Sequence, residues 1–354
     1  MVGTLQAPAG RLIELPKPRG PLSERLFEAL RRAPEEAPEL GLDDEQHRAG
    51  EVHSSDPIAD EDLQLALYVA YELHYTRVEG VDEDWEWSPA LLGFRAALER
   101  RFEEAVAELV PAAGGDEAGA VSAALQRIVA EDPGPPLSRY MEKEGTRKQM
   151  LEHVVHRSAY QLKEADPHSW AIPRLSPAPK AALLEVQSDE YGGGSSARMH
   201  SVLFAQTMAG LGLDPTYGAY LDRLPGVTLA AVNLMTGFGL HRRRRGAIVG
   251  HLAAFEMTSS IPNRRYGNAL RRLGYGRDVT HFYDEHVEAD AVHENIAAWD
   301  LAGGLAAAEP EVAADILFGA RALLALEARW AAHLMDSWER GETSLLTPLT
   351  LARA

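Results

Sequence analysis

The chain has no cysteine. That excludes disulfides, thiolate metal ligands, iron–sulfur clusters and cysteine nucleophiles together, so any bound metal has to rest on His, Asp and Glu. Positive charge is also scarce. With 35 Lys and Arg against 53 Asp and Glu the formal charge is −18, and a field of that sign repels nucleic acid and anionic lipid. No uninterrupted apolar run approaches the ~18 residues that suggest a membrane span; the run 226–240 has 15 residues and contains Asn233. The opening MVGTLQAPAGRLIELPKPRG lacks a basic start followed by an apolar stretch, so no signal peptide is expected. These absences predict a soluble, cytoplasmic protein with neither nucleic-acid nor membrane partners. Alternating apolar and polar runs rich in β-branched residues are missing too, which leaves an all-α fold.

What is present fits one domain with a sizeable core preceded by an N-terminal extension: 354 residues, 45% of them hydrophobic. Helices are expected over 22–32, 63–72, from Ser88-Pro89 onward and over 118–129, separated by an acidic connector (33–62) and a glycine-rich loop (111–119). None of these carries a chemical motif, and Trp85 and Trp87 read as packing residues.

The chemistry begins later, in His286-Val-Glu-Ala-Asp290-Ala-Val-His293, within a helix predicted to start near Thr280. At about 100° per residue, offsets of four and seven fall roughly 40° ahead of and 20° behind the first side chain, so His286, Asp290 and His293 share a narrow face. Two imidazoles and a carboxylate there suit iron, manganese or zinc. The alternative is a solvated polar face, since Asp284, Glu285, Glu288 and Glu294 surround the triplet.

Other polar residues stand inside apolar helical patterns. A helix over 149–164 would place His156, Tyr160 and Glu164 on one stripe, stopped before Pro167. The next, opening at Pro177 or Pro179, carries Glu185, Asp189 and Glu190 into Gly192-Gly193-Gly194, where the glycines either end the helix or allow a close backbone approach. His200 lies beside an apolar stripe, more often the setting of a core histidine than of a ligand. Glu256 ends the apolar run 247–256, and burying its carboxylate uncompensated is costly, which favours a metal or arginine partner. Arg242 to Arg245 should cap a helix and pair with surplus carboxylates. Ile261-Pro262 is read as opening a further helix, with Arg264, Arg265 and Tyr266 as anchors for a substrate carboxylate or as a plain basic surface. A long helix is expected from Glu309-Pro310 to about Trp338. Neither paired Glu-x-x-His motifs nor His-Glu-x-x-His occur.

The succession KEADPHSWAIPRL, LEVQSDEYGGGSSARMH, GHLAAFEMTSS and HVEADAVHE, over roughly residues 140–340, resembles the iron-containing redox enzymes with a haem-oxygenase-like fold, the haem-oxygenase-like diiron oxidases and oxygenases. The resemblance implies a helical bundle holding two Fe(II) ions, or iron with manganese at one site. The ligands it implies are Glu164; His200, 36 residues later; Glu256, 30 residues before His286; and the triplet His286, Asp290 and His293. Some members use a Glu three residues before the His; here that position is Ala197, so Glu190 or else Glu185 would supply the additional carboxylate. Tyr160, His156 and Asp189 would steady the imidazoles. The expected organisation is an extension over 1–135 and a diiron domain over 136–345. The implied activity is O2-dependent oxidation of a small amine, amino acid or carboxylic acid by N-oxygenation, desaturation or C–C cleavage, with an external electron donor and a homodimer both compatible. Two readings remain beside it: a haem-binding or haem-degrading protein with His200 as axial ligand, and a non-catalytic helical scaffold.

Overall fold

The computed structural model describes residues 12–37, 40, 56–110 and 120–350, except the side chains of residues 290 and 291. Much of the acidic connector and the loop 111–119 therefore lie outside the described residues. α1 (Pro21–Leu30) opens on a proline, whose missing N–H is unneeded in a first turn. α2 (Glu61–Glu72) is capped by Asp60, whose carboxylate accepts from the N–H groups of Asp62 and Leu63. The Asp62 carboxylate accepts in turn from the N–H groups of Leu22 and Ser23 at 2.7 and 2.8 Å, fastening the start of α1 to α2. α3 (Pro89–Leu109), α4 (Val121–Ala130) and α5 (Leu137–Lys143) follow. α6 (Arg147–Gln161) starts with a reciprocal cap between Thr146 and Gln149. Then come α7 (Pro177–Glu190), α8 (His200–Gly210), α9 (Gly226–Leu240), α10 (Arg245–Arg272) and α11 (Arg277–Asn295). A π-helical stretch, Ile296–Gly303, leads on toward α12 (Ala313–Glu339).

Among the described residues strand structure is limited to the two-residue parallel pair β1 (Leu12–Ile13) and β2 (Arg77–Val78), so the fold is all-α. None of the described helices is long and apolar enough to cross a membrane. One contiguous apolar core runs from Leu26 and Phe27 in α1 through Leu65 in α2 to Leu252 in α10 and Leu317 in α12. α10 is its axis, packed along α11 and α12. Gly250 and Gly319 let the backbones of α10 and α12 touch: a Cβ on Gly250 would overlap the Ile316 carbonyl, and one on Gly319 the Ala247 carbonyl.

Two helix boundaries differ from expectation. α10 runs unbroken through Pro262, where a new helix was expected to open. A proline removes one N–H from the ladder. Residues 257–260 and 262 are partly exposed and Ile261 is exposed, while Leu252 and Ala253 before them and Ala269 and Leu270 after them are buried in the core. Packing on both sides outweighs the lost bond. α6, by contrast, stops at Gln161, so Glu164 lies in the turn beyond it and not on the stripe of His156 and Tyr160. Ala165 sits in that turn at φ 74°, a left-handed conformation uncommon for alanine.

The arginine run behaves as its charge setting suggests. Arg243 and Arg244 both reach Glu103, Arg244 also meets Asp315 at 3.1 Å, and Arg245 pairs with Glu309. Trp85 is fully buried and donates its indole N–H to the Arg32 carbonyl, whereas Trp87 is exposed beside His74.

Candidate metal centre

Five segments deliver the polar side chains to one place. The turn after α6 presents Glu164, the last residue of α7 is Glu190, the first residue of α8 is His200, and α10 and α11 supply Glu256, His286 and His293. Glu190 and His200 can meet because the chain reverses between them. Gly192, Gly193 and Gly194 all have positive φ, and a Cβ on Gly192 would fall 2.6 Å from the Met199 nitrogen. Only glycine permits both conformation and approach there.

The six side chains are nearly excluded from solvent, with exposures between 1% and 7%. They form two groups in which one donor atom per residue lies within 4.8 Å of the others: Glu164, Glu190, His200 and His286; and Glu190, Glu256 and His293. Glu190 belongs to both. Its Oε2 is 2.8 Å from His200 Nδ1, and its Oε1 is 4.0 Å from His293 Nδ1. His286 Nε2 lies 3.5 Å from Glu164 Oε1, and His293 Nδ1 lies 3.4 Å from Glu256 Oε2. The rings of His200 and His286 stand 4.3 Å apart. Glu164 Oε2, His200 Nδ1 and His293 Nδ1 make no well-aligned hydrogen bond although all are buried. Donor atoms that converge without bonding one another well are arranged for a shared cation, and imidazole nitrogen with carboxylate oxygen suits iron, manganese or zinc. The residues present therefore fit a metal pair.

Backbone and side-chain bonds aim the imidazoles. His286 donates from Nδ1 to the Phe282 carbonyl at 2.8 Å, leaving Nε2 turned to Glu164. His293 donates from Nε2 to Asp189 Oδ2 at 3.1 Å, leaving Nδ1 turned to Glu190 and Glu256. Such bonds fix the tautomer of a metal-binding histidine. Burial disfavours charge on both Glu190 and His293, but each finds the other sign nearby. The charge and close approach of His200, with the charges of His286 and His293, hold the Glu190 carboxyl at about 2. The charge and close approach of Glu256, with Asp189 and Glu190, raise His293 to about 9. In the metal-free chain the His293 proton offsets part of the carboxylate charge, and a metal ion would take its place.

The remaining expected site residues separate. Asp290 lies on α11 between His286 and His293, and its side chain is outside the described residues. Tyr160 is buried edge-on to Phe255, its hydroxyl pushed well above its ordinary range by burial and by Glu164, Glu190 and Glu256. Glu185 is exposed on the outer face of α7. His156 does not steady a ligand: its ring bonds Thr228 Oγ1 at 2.6 Å and Ser344 Oγ at 3.0 Å, tying α6 to α9 and the C-terminal segment. Arg264 is exposed, Arg265 donates to Ser138 Oγ at 3.2 Å, and Tyr266 is buried against His153.

Sequence reasoning passed over several polar residues around the centre. Lys163, adjacent to Glu164, is fully buried and paired with Glu72, which also accepts from Tyr217 at 2.7 Å. His168 Nε2 and His251 Nδ1 share a hydrogen bond at 3.1 Å, both fully in the interior. Lys163 left no signal, because it stands in the polar stretch YQLKEADPHS and its partner Glu72 is 91 residues away; nor did the histidine pair, whose members are 83 residues apart.

A cavity of about 180 Å³ reaches the centre, with Glu164 and His286 in its wall.

No curated protein matches the chain. A family model described as iron-containing redox enzyme matches residues 151–328, half of the sequence, and the chain belongs to that family. The span holds all six clustered residues.

Proposed function

We propose that this member of the iron-containing redox enzyme family is a non-haem diiron oxidase or oxygenase that uses O2 to oxidise a small organic substrate. The observation that carries the reading is the sharing of Glu190 between two buried donor groups, the arrangement expected of a carboxylate held between two metal ions. Glu164, His200 and His286 would serve one ion, Glu256 and His293 the other, and Glu190 both. Iron in both positions, or manganese in one, would supply electrons to O2. The protein's part is to hold the donors in place, keep water from them by burial, and neutralise the cations with three carboxylates. Tyr160, with a hydroxyl that stays protonated among those carboxylates, offers a hydrogen-bond donor beside the centre.

The surroundings of His200 argue against an axial haem ligand. It faces the Glu190 carboxylate at 2.8 Å and the His286 ring at 4.3 Å, where haem requires an apolar pocket. A non-catalytic scaffold gives no reason for three carboxylates and three imidazoles to converge in the interior, at a substantial desolvation cost.

The test is anaerobic Fe(II) loading of the full chain, metal analysis, then rapid mixing with O2 under visible detection. Two irons per chain and a coloured transient, both lost in His293→Ala, support the reading. A chain that binds no iron and behaves like the variant sinks it.

A further inference from the structure

The cavity beside the centre contains polar groups that the metal reading does not use. His153 is 1% exposed and neither ring nitrogen has a hydrogen-bond partner, although the ring is held between Tyr266 and Trp330 at 4.3 and 5.7 Å. Tyr283, 1% exposed, has an unpartnered hydroxyl, and Gln161 Oε1 is unpartnered as well. All three line the cavity that reaches Glu164 and His286. Burial drives His153 well below the usual histidine range and Tyr283 above that of tyrosine, so both are neutral and each can give and take a hydrogen bond. Unmet groups of this kind are destabilising relative to apolar replacements of the same shape. The wall also carries the Arg157–Glu327 pair, joined at 2.8 and 2.6 Å, with the guanidinium 3.9 Å over Trp330. One bidentate bond leaves donors on the guanidinium and lone pairs on the carboxylate for a third party.

We propose that His153, Tyr283 and the Gln161 carbonyl oxygen are the recognition groups for the organic ligand of this site, and that the ligand is a compact molecule carrying hydrogen-bond donors and acceptors together, its charged group set against Arg157–Glu327. A long aliphatic chain is the wrong occupant: the volume is about 180 Å³, and such a chain would leave every one of these groups unmet. The inference deepens the proposed function, which it needs only for what the ligand is presented to.

Two arms test it on the full chain. In the metal-free protein, His153→Phe and Tyr283→Phe each raise the melting temperature by about 2 °C or more, because a group kept for a ligand is a liability without one. A packing role predicts the reverse. In Co(II)-loaded protein, the twenty common L-amino acids and octanoate are screened by shifts of the visible cobalt bands; at least one amino acid shifts them, octanoate does not, and His153→Phe weakens the shift at least tenfold while cobalt binding is unchanged. Loss of stability in both Phe variants, or a screen in which no amino acid binds, overturns the proposal. Failure of cobalt to bind sinks the metal reading alone, since the stability arm uses no metal.

Discussion

Asp189 reaches back from the exposed end of α7 to accept the Nε2 proton of His293 at 3.1 Å, so a carboxylate with a side chain 60% exposed orients an imidazole that is 1% exposed. That bond sets the tautomer of a clustered histidine from the protein surface. Asp189→Ala should lower affinity for the ion held by His293 and Glu256 by roughly 10–100-fold and leave the other position nearly unchanged. Competitive metal titration with a chromophoric chelator would separate the two positions; equal weakening of both would contradict the assignment.

Lys163 and Glu164 are neighbours with opposite charges that turn to different partners, Lys163 to Glu72 and Glu164 to His286. With both members of the Lys163–Glu72 pair fully buried, removing one leaves a stranded charge. Lys163→Met should destabilise the fold by about 3–5 kcal/mol, and Lys163→Met with Glu72→Leu should recover most of the loss. Chemical denaturation of the three proteins measures both steps. A double variant as unstable as the single one would mean that the lysine matters for something besides the pair.

Ala165 holds φ 74°, and its carbonyl accepts from Gln187 Nε2 at 2.9 Å. A β-branched side chain tolerates that conformation poorly. Ala165→Val should cost about 1–3 kcal/mol and weaken metal binding through Glu164, whereas Ala165→Gly should retain both. Thermal unfolding and metal titration of the two variants give the comparison, and a Val variant indistinguishable from the Gly variant would refute it.

The His168–His251 pair sets an acid limit. Burial lowers His168 to about 4 and His251 well below its ordinary range, whereas both would titrate near ~6.5 in an unfolded chain. Between about 6.5 and 4 the unfolded chain takes up protons that the folded one refuses, so stability is full above that window and is lost as the pH falls through it. For His168 alone the drop to about 4 corresponds to about 3 kcal/mol at ~1.36 kcal/mol per unit. Unfolding free energy measured from pH 7 to 4.5 should fall accordingly, and less steeply in His168→Gln. A flat profile would show that the pair is not held neutral.

How much of this was legible in the sequence depends on how local the cause was. The helical runs were readable because their apolar spacing is set by each helix's own burial, and 226–240 matches α9 residue for residue. That Glu164, His200 and Glu256 belong to one set was implied by the family resemblance and not by helical stripes. Glu164 leaves the stripe because α6 ends at Gln161. His156 keeps its place on the stripe but does not steady a clustered imidazole, because its partners Thr228 and Ser344, 72 and 188 residues away, take both ring nitrogens. Pro262 misled because a proline's local effect is to end a helix, and only packing on both sides of it, invisible in one dimension, keeps α10 whole. His153 gave no signal at all: a histidine on a mixed helix reads the same whether its nitrogens are satisfied or not.

Between two helices a layer of side chains ordinarily acts as a cushion, taking up small errors by changing rotamers. At Gly250 and Gly319 that cushion is absent, and main chain rests on main chain. The crossing is therefore a hard stop, and it lies six residues before Glu256, under two turns of the same helix. The reach of Glu256 toward His293 is gauged from that stop, so the tolerance of the metal centre is set in part by two residues that have no side chain and touch none of its ligands.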